Sequence, residues 1–226
     1  KAVVEGSKRA QKAPLDLLTS AGAIDSPYQF HWRRFLFDQF PKGTAFPAVD
    51  VPTLKETLPL SSAQAFSVDD SATTEIDDAL SVQGLGSGTV VFGIHIAAPG
   101  LAITPDSVLD KVARERLSTV YMPGWKLTML PDAVVQAYTL TAGQDCPAVS
   151  LYVSFDEATL ALQGSETKLE RVRIVTNLRH DQLDSVITEA SLIGEAPADY
   201  GHAAELAFAF RLARQLKAQR EVVRGK

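Results

Sequence analysis

The sequence predicts a mixed α/β fold of the α+β kind, with a mixed sheet packed against helices, and three observations favour it. The middle of the chain contains short apolar runs with the alternation typical of strands, and both ends contain segments with helical spacing. The 226 residues are 46% apolar and 22% charged, with a mean hydropathy near zero. This is the composition of a globular protein long enough to bury a substantial core.

Residues 1–60 are predicted to form a small helical lead-in that ends in a linker. The first dozen residues, rich in Lys, Gln and Ala, indicate a frayed end or a connector. A short helix is predicted from Pro14 to Gly22, since proline suits the first turn of a helix and glycine its end. A second helix is predicted over 30–40, where bulky aromatic and basic residues mix. Four prolines and a glycine between residues 41 and 59 then mark the boundary.

Residues 61–226 are predicted to form the second domain, in which strands precede and follow a helix. Strands are expected where apolar residues alternate or form short runs, and helices where they recur at helical spacing. The last helix is expected to bury Leu206, Phe210, Ala213 and Leu216 as one stripe. The predicted strands are 65–68, 79–82, 89–97, 148–155 and a partner around 169–175, and the predicted helices are 107–116, 181–193 and 202–223.

Charge and composition exclude several classes of protein. No run approaches 18 apolar residues, so neither a membrane-spanning helix nor a membrane partner is expected. Cys146 is the only cysteine, which excludes an internal disulfide or a thiolate zinc cage and favours the cytoplasm. The chain begins at Lys1 without a signal pattern, as expected of an excised or processed piece. Residues 43–170 carry 16 acidic and six basic residues, whereas the flanking regions are net positive.

Five acidic residues fall within ten positions between two predicted strands: Asp69, Asp70, Glu75, Asp77 and Asp78. A solvated surface is the ordinary interpretation of such a run. Here the flanking strands hold the carboxylates close to a core, and two carboxylates ~5 Å apart repel by roughly 3 kcal/mol at an effective dielectric of ~20. A bound divalent cation would remove that conflict. Alternatively, Asp77 or Asp78 simply caps the turn before the second strand.

The types of residue in this cluster indicate which cation it would bind and which kind of reaction it would support. Carboxylate oxygens without cysteine or paired histidines favour Mg²⁺, or Mn²⁺, over zinc. A calcium loop of the EF-hand type requires glycine at its sixth position, which is Thr74 when the loop is counted from Asp69. Magnesium held by clustered aspartates keeps coordination positions for water and phosphate oxygens, which points to phosphate chemistry. The glycine-rich string 84–88 lacks the lysine of a phosphate-binding loop.

Three stretches in order carry a specific resemblance: SVDDSATTEIDDALSV, VVFGIHIAAPG and DSVLDKVARERLSTVYMPGWKLTMLP. Together they resemble the RNB catalytic domain of the ribonuclease II family over about residues 61–226. The resemblance implies a mixed α/β catalytic domain that hydrolyses RNA from its single-stranded 3′ end to nucleoside 5′-monophosphates with Mg²⁺. It also implies that the domain is incomplete at the C-terminus, since a later arginine-containing motif would lie beyond Lys226. DNA is not expected as a partner.

The resemblance also implies roles for individual residues. Asp69, Asp77 and Asp78 match the aspartate positions of the family, and Glu75 stands where a further aspartate is usual. We expect Asp69 and Asp78 to bind the metal directly, Glu75 to support it, and Asp77 to act nearest the chemical step, with Asp77 and Asp78 as the catalytic pair. Tyr121 matches an aromatic that stacks on an RNA base, although a core position is the alternative. His180 falls near a second stacking position, although a helix cap or a plain surface residue is the alternative.

The chain also departs from the family pattern. Leu117 replaces a glycine after Arg116, for which a structural role is expected, and Ala98-Pro99 replaces Asp-Val. Glu75 is one methylene longer than aspartate. These departures keep open an alternative function, in which a divergent relative binds RNA without hydrolysing it.

Overall fold

A computed structural model describes residues 1–225 and divides into two units. The first unit contains Lys1–Ala48 and Val120–Leu127, and the second contains Val49–Thr119 and the chain from Thr128 onward. The predicted class is confirmed, since helices accompany a mixed sheet. The first unit contains the chain up to residue 48, and the domain boundary near residue 60 remains a prediction.

Helices and strands are numbered in chain order. The helices are α1 (Ala2–Ala10), α2 (Pro14–Ser20), α3 (Pro27–Gln39), α4 (Val108–Arg116), α5 (Asp132–Tyr138), α6 (His180–Leu183), α7 (Glu189–Leu192) and α8 (Ala203–Val223). The strands are β1 (Leu60–Asp69), β2 (Asp78–Gln83), β3 (Thr89–Ala97), β4 (Val120–Met122), β5 (Trp125–Leu127), β6 (Asp145–Asp156) and β7 (Leu162–Arg179).

The first unit consists of α1 to α3 and the hairpin formed by β4 and β5. The prediction of a frayed start was wrong, because residues 2–10 form α1. Its first turn contains Glu5 and its last turn Lys8 and Arg9, charges that complement the helix dipole at both ends. Ser26 caps α3 by accepting a hydrogen bond from the backbone N–H of Gln29, ahead of Pro27 in the first turn.

The second unit is organised by five strands that close into a barrel in the order β1-β2-β3-β6-β7. Neighbours are antiparallel except β1 and β7, which pair in parallel and close the barrel. A glycine-rich turn joins β2 to β3, as predicted, and Gly84 is required there: its φ is +83°, and an added Cβ would lie 2.5 Å from the carbonyl oxygen of Thr89.

The interior of the barrel combines small apolar residues with a buried polar network. Ala65, Ala79 and Ala148 are fully buried or nearly so. The imidazole of His95, fully buried, bonds Ser81 Oγ through Nε2 and Ser150 Oγ through Nδ1, both at 2.8 Å. Burial lowers the pKa of His95 to about 4, although the nearby Glu170 carboxylate opposes the shift. The ring therefore stays neutral at pH 7.

Helix α8 covers the outer face of the sheet, but with a different face from the predicted one. Phe208 and Leu212 are buried in a cluster that includes Phe92 and Phe155. Ala213 and Leu216 of the predicted stripe are exposed. The spacing of apolar residues in α8 permits either face of the helix to be buried. The aromatic residues of the sheet pack against the face that carries Phe208 and Leu212. Among the described residues, no helix combines the length and apolar character needed to cross a bilayer.

The helix predicted over 181–193 was wrong in part, because two short helices, α6 and α7, replace it. Helix α6 ends at Leu183, and α7 starts anew at Glu189. Thr188 accepts a hydrogen bond from the backbone of Ser191, whose hydroxyl accepts one from the backbone of Thr188. This capping box is a local start signal, and it outweighed the apolar pattern.

Candidate active site

The acidic segment, Asp69–Asp78, connects β1 to β2 at one end of the barrel. Asp69 is the last residue of β1 and Asp78 the first of β2, with Phe66 opposite Leu80 in the antiparallel pair. On its other side, β1 runs parallel to β7, and Asp69 lies in register with Arg179. The sequence prediction that two strands bracket the acids is confirmed, and the end of β7 is added to the same site.

A chain of hydrogen bonds orients the carboxylate of Asp69. The Ser67 hydroxyl, which is buried, donates to Oδ2 of Asp69 at 2.5 Å. The side-chain amide of Asn177 donates to Ser67 Oγ at 3.0 Å and to the carbonyl of Leu140 at 2.9 Å. Asp69 itself is half-buried. Its carboxylate is therefore held by residues of two strands rather than free to rotate in water.

Arg179 fixes the turn that follows Asp69. Its guanidinium donates to the carbonyl oxygens of Asp70 at 2.9 Å and of Thr73 at 3.2 Å. A positive charge is thus placed within the acidic segment, where it reduces the repulsion among the carboxylates. Sequence reasoning missed both Arg179 and Asn177. They lie about a hundred residues from the acids they serve, and only the parallel pairing of β1 with β7 brings them there.

Glu75 and Asp77 are brought together around a small cavity of about 30 Å³, whose walls include Leu130 and Val134. A single water occupies about this volume in the liquid. Glu75 is half-buried and its Oε1 accepts a hydrogen bond from Thr119 Oγ1 at 3.5 Å, while Asp77 is exposed. The site therefore offers space for one water between two acidic residues.

Hydrogen bonds from neighbouring segments fix the backbone around that cavity on both sides. The buried Ile76 donates its N–H to Thr139 Oγ1 at 2.7 Å and accepts from the N–H of Leu140 at 3.0 Å. The carbonyl of Asp77 accepts from the N–H of Ala97 at 2.8 Å. Asp78 then enters the ladder opposite Ile96 and is exposed. The positions of Asp77 and Asp78 are thus set by the barrel and not by the loop alone.

The four acids do not form a ready-made metal centre. Within residues 1–225 there is no group of three or more carboxylate, imidazole or thiolate side chains placed to hold a metal ion. Their oxygen donors suit Mg²⁺, which is commonly held by one or two carboxylates with water and substrate phosphates completing its shell. The donor set therefore fits a magnesium ion held by one or two of these carboxylates, and not one enclosed by Asp69, Glu75, Asp77 and Asp78 alone.

The two residues predicted to contact RNA lie in different units. His180 is the exposed first residue of α6 and follows Arg179 directly, which places it at the acidic end of the barrel. Tyr121 belongs to the first unit, where it is 68% exposed on β4 with the ammonium of Lys126 5.6 Å from its ring centroid. A core position for Tyr121 is thus excluded. Contact of either residue with RNA remains a prediction.

The family's glycine position carries a strained leucine in this chain. Leu117 follows α4 with φ +64° and ψ −37°, a conformation that favours glycine, and its side chain is 81% exposed. Arg116 donates a hydrogen bond to the carbonyl of Thr128 at 2.9 Å, and burial lowers the pKa of its guanidinium. Leu117 therefore adopts a backbone conformation that glycine tolerates better than leucine does.

Comparison with known proteins gives one matching family and several relatives. The RNB domain matches residues 58–225. The chain is 36% identical over 104 residues to an uncharacterised ribonuclease of Synechocystis, covering 46% of this chain and 16% of that protein. It is 41% identical over 88 residues to exoribonuclease 2 of Vibrio cholerae, covering 38% and 13%. The chain thus spans about a sixth of the length of these relatives.

Solved structures share the fold at low sequence identity. The yeast protein Ssd1, described as a pseudonuclease, superposes with a TM-score of 0.61 at 22% identity, covering 80% of this chain and 21% of that one. RNase R of Mycoplasma genitalium in complex with ribose-methylated single-stranded RNA gives 0.60 at 20% identity, covering 77% and 27%. At these identities the likeness establishes the fold alone.

Proposed function

The chain belongs to the RNB-domain family of the ribonuclease II type, and on that premise we propose that it forms part of a hydrolytic 3′→5′ exoribonuclease. The products would be nucleoside 5′-monophosphates. The observation that carries the proposal is the acidic segment, held at one end of the barrel between the end of β1 and the start of β2 and beside the end of β7. A surface loop without function would not need Asn177, Ser67 and Arg179 to fix its conformation.

We assign the chemical roles as follows. Asp77 orients the attacking water, because it borders the cavity that has room for one. Glu75 lines the same cavity and holds that water together with Asp77. Asp69 and Asp78 stand at the ends of the two strands, where their carboxylates are available to a cation. His180 contributes a ring at the same end of the barrel, against which the terminal base of the RNA can stack.

Magnesium, or manganese in its place, is part of this proposal. When bound, the ion would polarise a phosphoryl oxygen and lower the pKa of a water molecule. Asp69 and Asp78 would supply its protein oxygens, and phosphate oxygens of the RNA would complete the shell. Metal binding should therefore be much tighter in the presence of RNA than in its absence.

The proposal is tested by following labelled single-stranded RNA in the presence of Mg²⁺ or of EDTA. Because the chain spans about a sixth of its curated relatives, the assay uses the complete polypeptide that carries it. RNA labelled at its 5′ end should shorten progressively, and RNA labelled at its 3′ end should release labelled mononucleotide at once. EDTA should stop both. Internal cuts, or cleavage that persists in EDTA, would contradict the proposal.

A second candidate function is RNA binding without hydrolysis, and two observations favour it. The acids of the segment do not gather into a group of three within residues 1–225, and the same fold occurs in a protein described as a pseudonuclease. In the assay above, this alternative predicts that RNA binds and stays intact with Mg²⁺ or Mn²⁺. Progressive shortening would exclude it.

A further inference from the structure

The two units differ in charge and in the aromatic side chains they expose. The first unit carries eight lysine and arginine residues against four acidic ones, a net charge of +4, whereas the second carries 14 against 23, a net charge of −9. The exposed large aromatic side chains among the described residues all belong to the first unit: Tyr28, Phe37, Tyr121 and Trp125. A basic surface with exposed aromatic rings is typical of proteins that bind single-stranded nucleic acid.

Within this unit, Trp125 is supported by a second indole. The ring centroids of Trp125 and Trp32 lie 5.6 Å apart at an interplanar angle of 24°, and Trp32 stacks in turn on Phe35 at 5.9 Å. Trp32 is buried in α3, whereas Trp125 is 56% exposed. One face of the Trp125 indole therefore rests on a rigid aromatic column, and the opposite face remains open.

The hairpin that carries Trp125 is fixed independently of that stack. The hydroxyl of Tyr28 donates to the carbonyl of Pro123, in the turn between β4 and β5, at 2.5 Å. Helix α3 thus holds the hairpin both at its turn and through Trp32. A ring fixed in this way loses little conformational entropy when a ligand stacks on it, which favours binding.

We propose that the open face of Trp125 is a base-stacking surface for single-stranded RNA. The proposal rests on the RNA-binding function proposed above and deepens it by naming a second aromatic contact. The contact is distinct from the one assigned to Tyr121, because Tyr121 pairs with Lys126 across the hairpin, whereas Trp125 pairs with Met122 and therefore faces the other side. RNA is favoured over a protein partner because the unit is basic and the exposed Arg33 lies on α3, one residue from Trp32.

Two variants and a control test the proposal by equilibrium binding of short, fluorescently labelled oligo(U) in EDTA, where no cleavage intervenes. Trp125→Ala should weaken binding about 5- to 150-fold, the loss expected for one stacked base. Trp125→Phe, which keeps an aromatic face, should weaken it much less. Phe37→Ala is the matched control. Phe37 is an aromatic of the same unit at 79% exposure, but within residues 1–225 no ring stacks behind it as Trp32 does behind Trp125. A side chain without such support is not preorganised for stacking, so Phe37→Ala should bind as the wild type does.

Tryptophan fluorescence gives a second measurement, which remains valid even if the alanine variant fails to fold. These 226 residues contain two tryptophans, so each is replaced in turn in the complete polypeptide. Saturating oligo(U) should quench the emission of the wild type and of Trp32→Phe, which retains Trp125. Trp125→Phe, which retains only the buried Trp32 of the two, should lose that part of the quenching. Duplex RNA, whose bases are already stacked, should quench neither variant.

The outcomes separate this inference from the function on which it rests. If the wild type binds oligo(U) and Trp125→Ala binds equally well, or if Phe37→Ala loses as much affinity as Trp125→Ala, only the stacking role of Trp125 is refuted. If the wild type does not bind oligo(U) at all, the proposed function fails and the inference fails with it.

Discussion

The buried histidine of the barrel makes the stability of this protein sensitive to mild acid. His95 is enclosed by Ser81 and Ser150, with Tyr152 against its ring edge and the Glu170 carboxylate nearby. Tyr152 does not titrate below pH 7, because burial and the hydrogen bond to Glu170 raise its pKa to about 12. His95 is neutral in the fold over most of the range from pH 7 to pH 4, whereas the same imidazole in the unfolded chain becomes protonated in that range.

The size of the effect follows from the two pKa values of His95. In the unfolded chain the imidazole titrates at about 6.5, and in the fold at about 4. Between these values the unfolded state binds a proton that the folded state rejects, so stability is complete above pH 6.5 and falls as the pH falls. The free energy of unfolding should decrease by about 2 kcal/mol at pH 5 and about 3 kcal/mol at pH 4 through this group alone.

Urea unfolding at a series of pH values between 4 and 7.5 measures this loss, and His95→Gln is the matched variant because it removes the titrating group and retains polar atoms. The variant should be less stable at pH 7, where it loses the fitted imidazole, but its stability should depend less on pH between 4 and 6.5. Wild type and variant with the same slope in that range would refute the assignment of the acid sensitivity to His95.

Two further predictions concern stability at strained or shared positions. Leu117→Gly should raise the free energy of unfolding by about 1 kcal/mol, because glycine adopts φ +64° without strain. Leu117→Ala keeps the Cβ and should not raise the free energy of unfolding. Equal melting temperatures for the two variants would contradict this prediction. Asn177→Ala should lower the free energy of unfolding by about 1–3 kcal/mol, since it leaves the carbonyl of Leu140 and the N–H of Ala142 without their partner. If the variant unfolds in urea as the wild type does, water replaces the amide and the prediction is wrong.

Local patterns were enough to predict the strands that flank the acidic segment. The alternation in 89–97 and 148–155 identified β3 and most of β6, and Ser107 identified the start of α4, where it does accept the capping hydrogen bond from Asp110. These signals are local because strand period and helix capping depend on residues a few positions apart. The acidic residues were identified in the same way, since they are adjacent in the chain.

Contacts between distant segments were not predictable in this way. The closure of the barrel pairs Asp69 with Arg179, and no periodicity in either segment specifies the other. For the same reason Asn177 was missed and α8 was assigned the wrong face. The hairpin 120–127 was also missed, although its pairing is local, because its two strands are only three residues long. Within residues 1–225 no three of the acidic side chains gather at one point. Nothing in the sequence signals this, because adjacency in the chain does not determine where carboxylate oxygens point.

The central claim, that the acidic segment hydrolyses RNA, is tested most directly by Asp77→Asn in the complete polypeptide. Cleavage of labelled RNA and RNA affinity are measured side by side, with Asp106→Asn, an exposed carboxylate outside the segment, as the control. We predict that Asp77→Asn reduces the cleavage rate ~100-fold or more with nearly unchanged affinity, and that the control cleaves normally. Undiminished cleavage by Asp77→Asn would contradict the account.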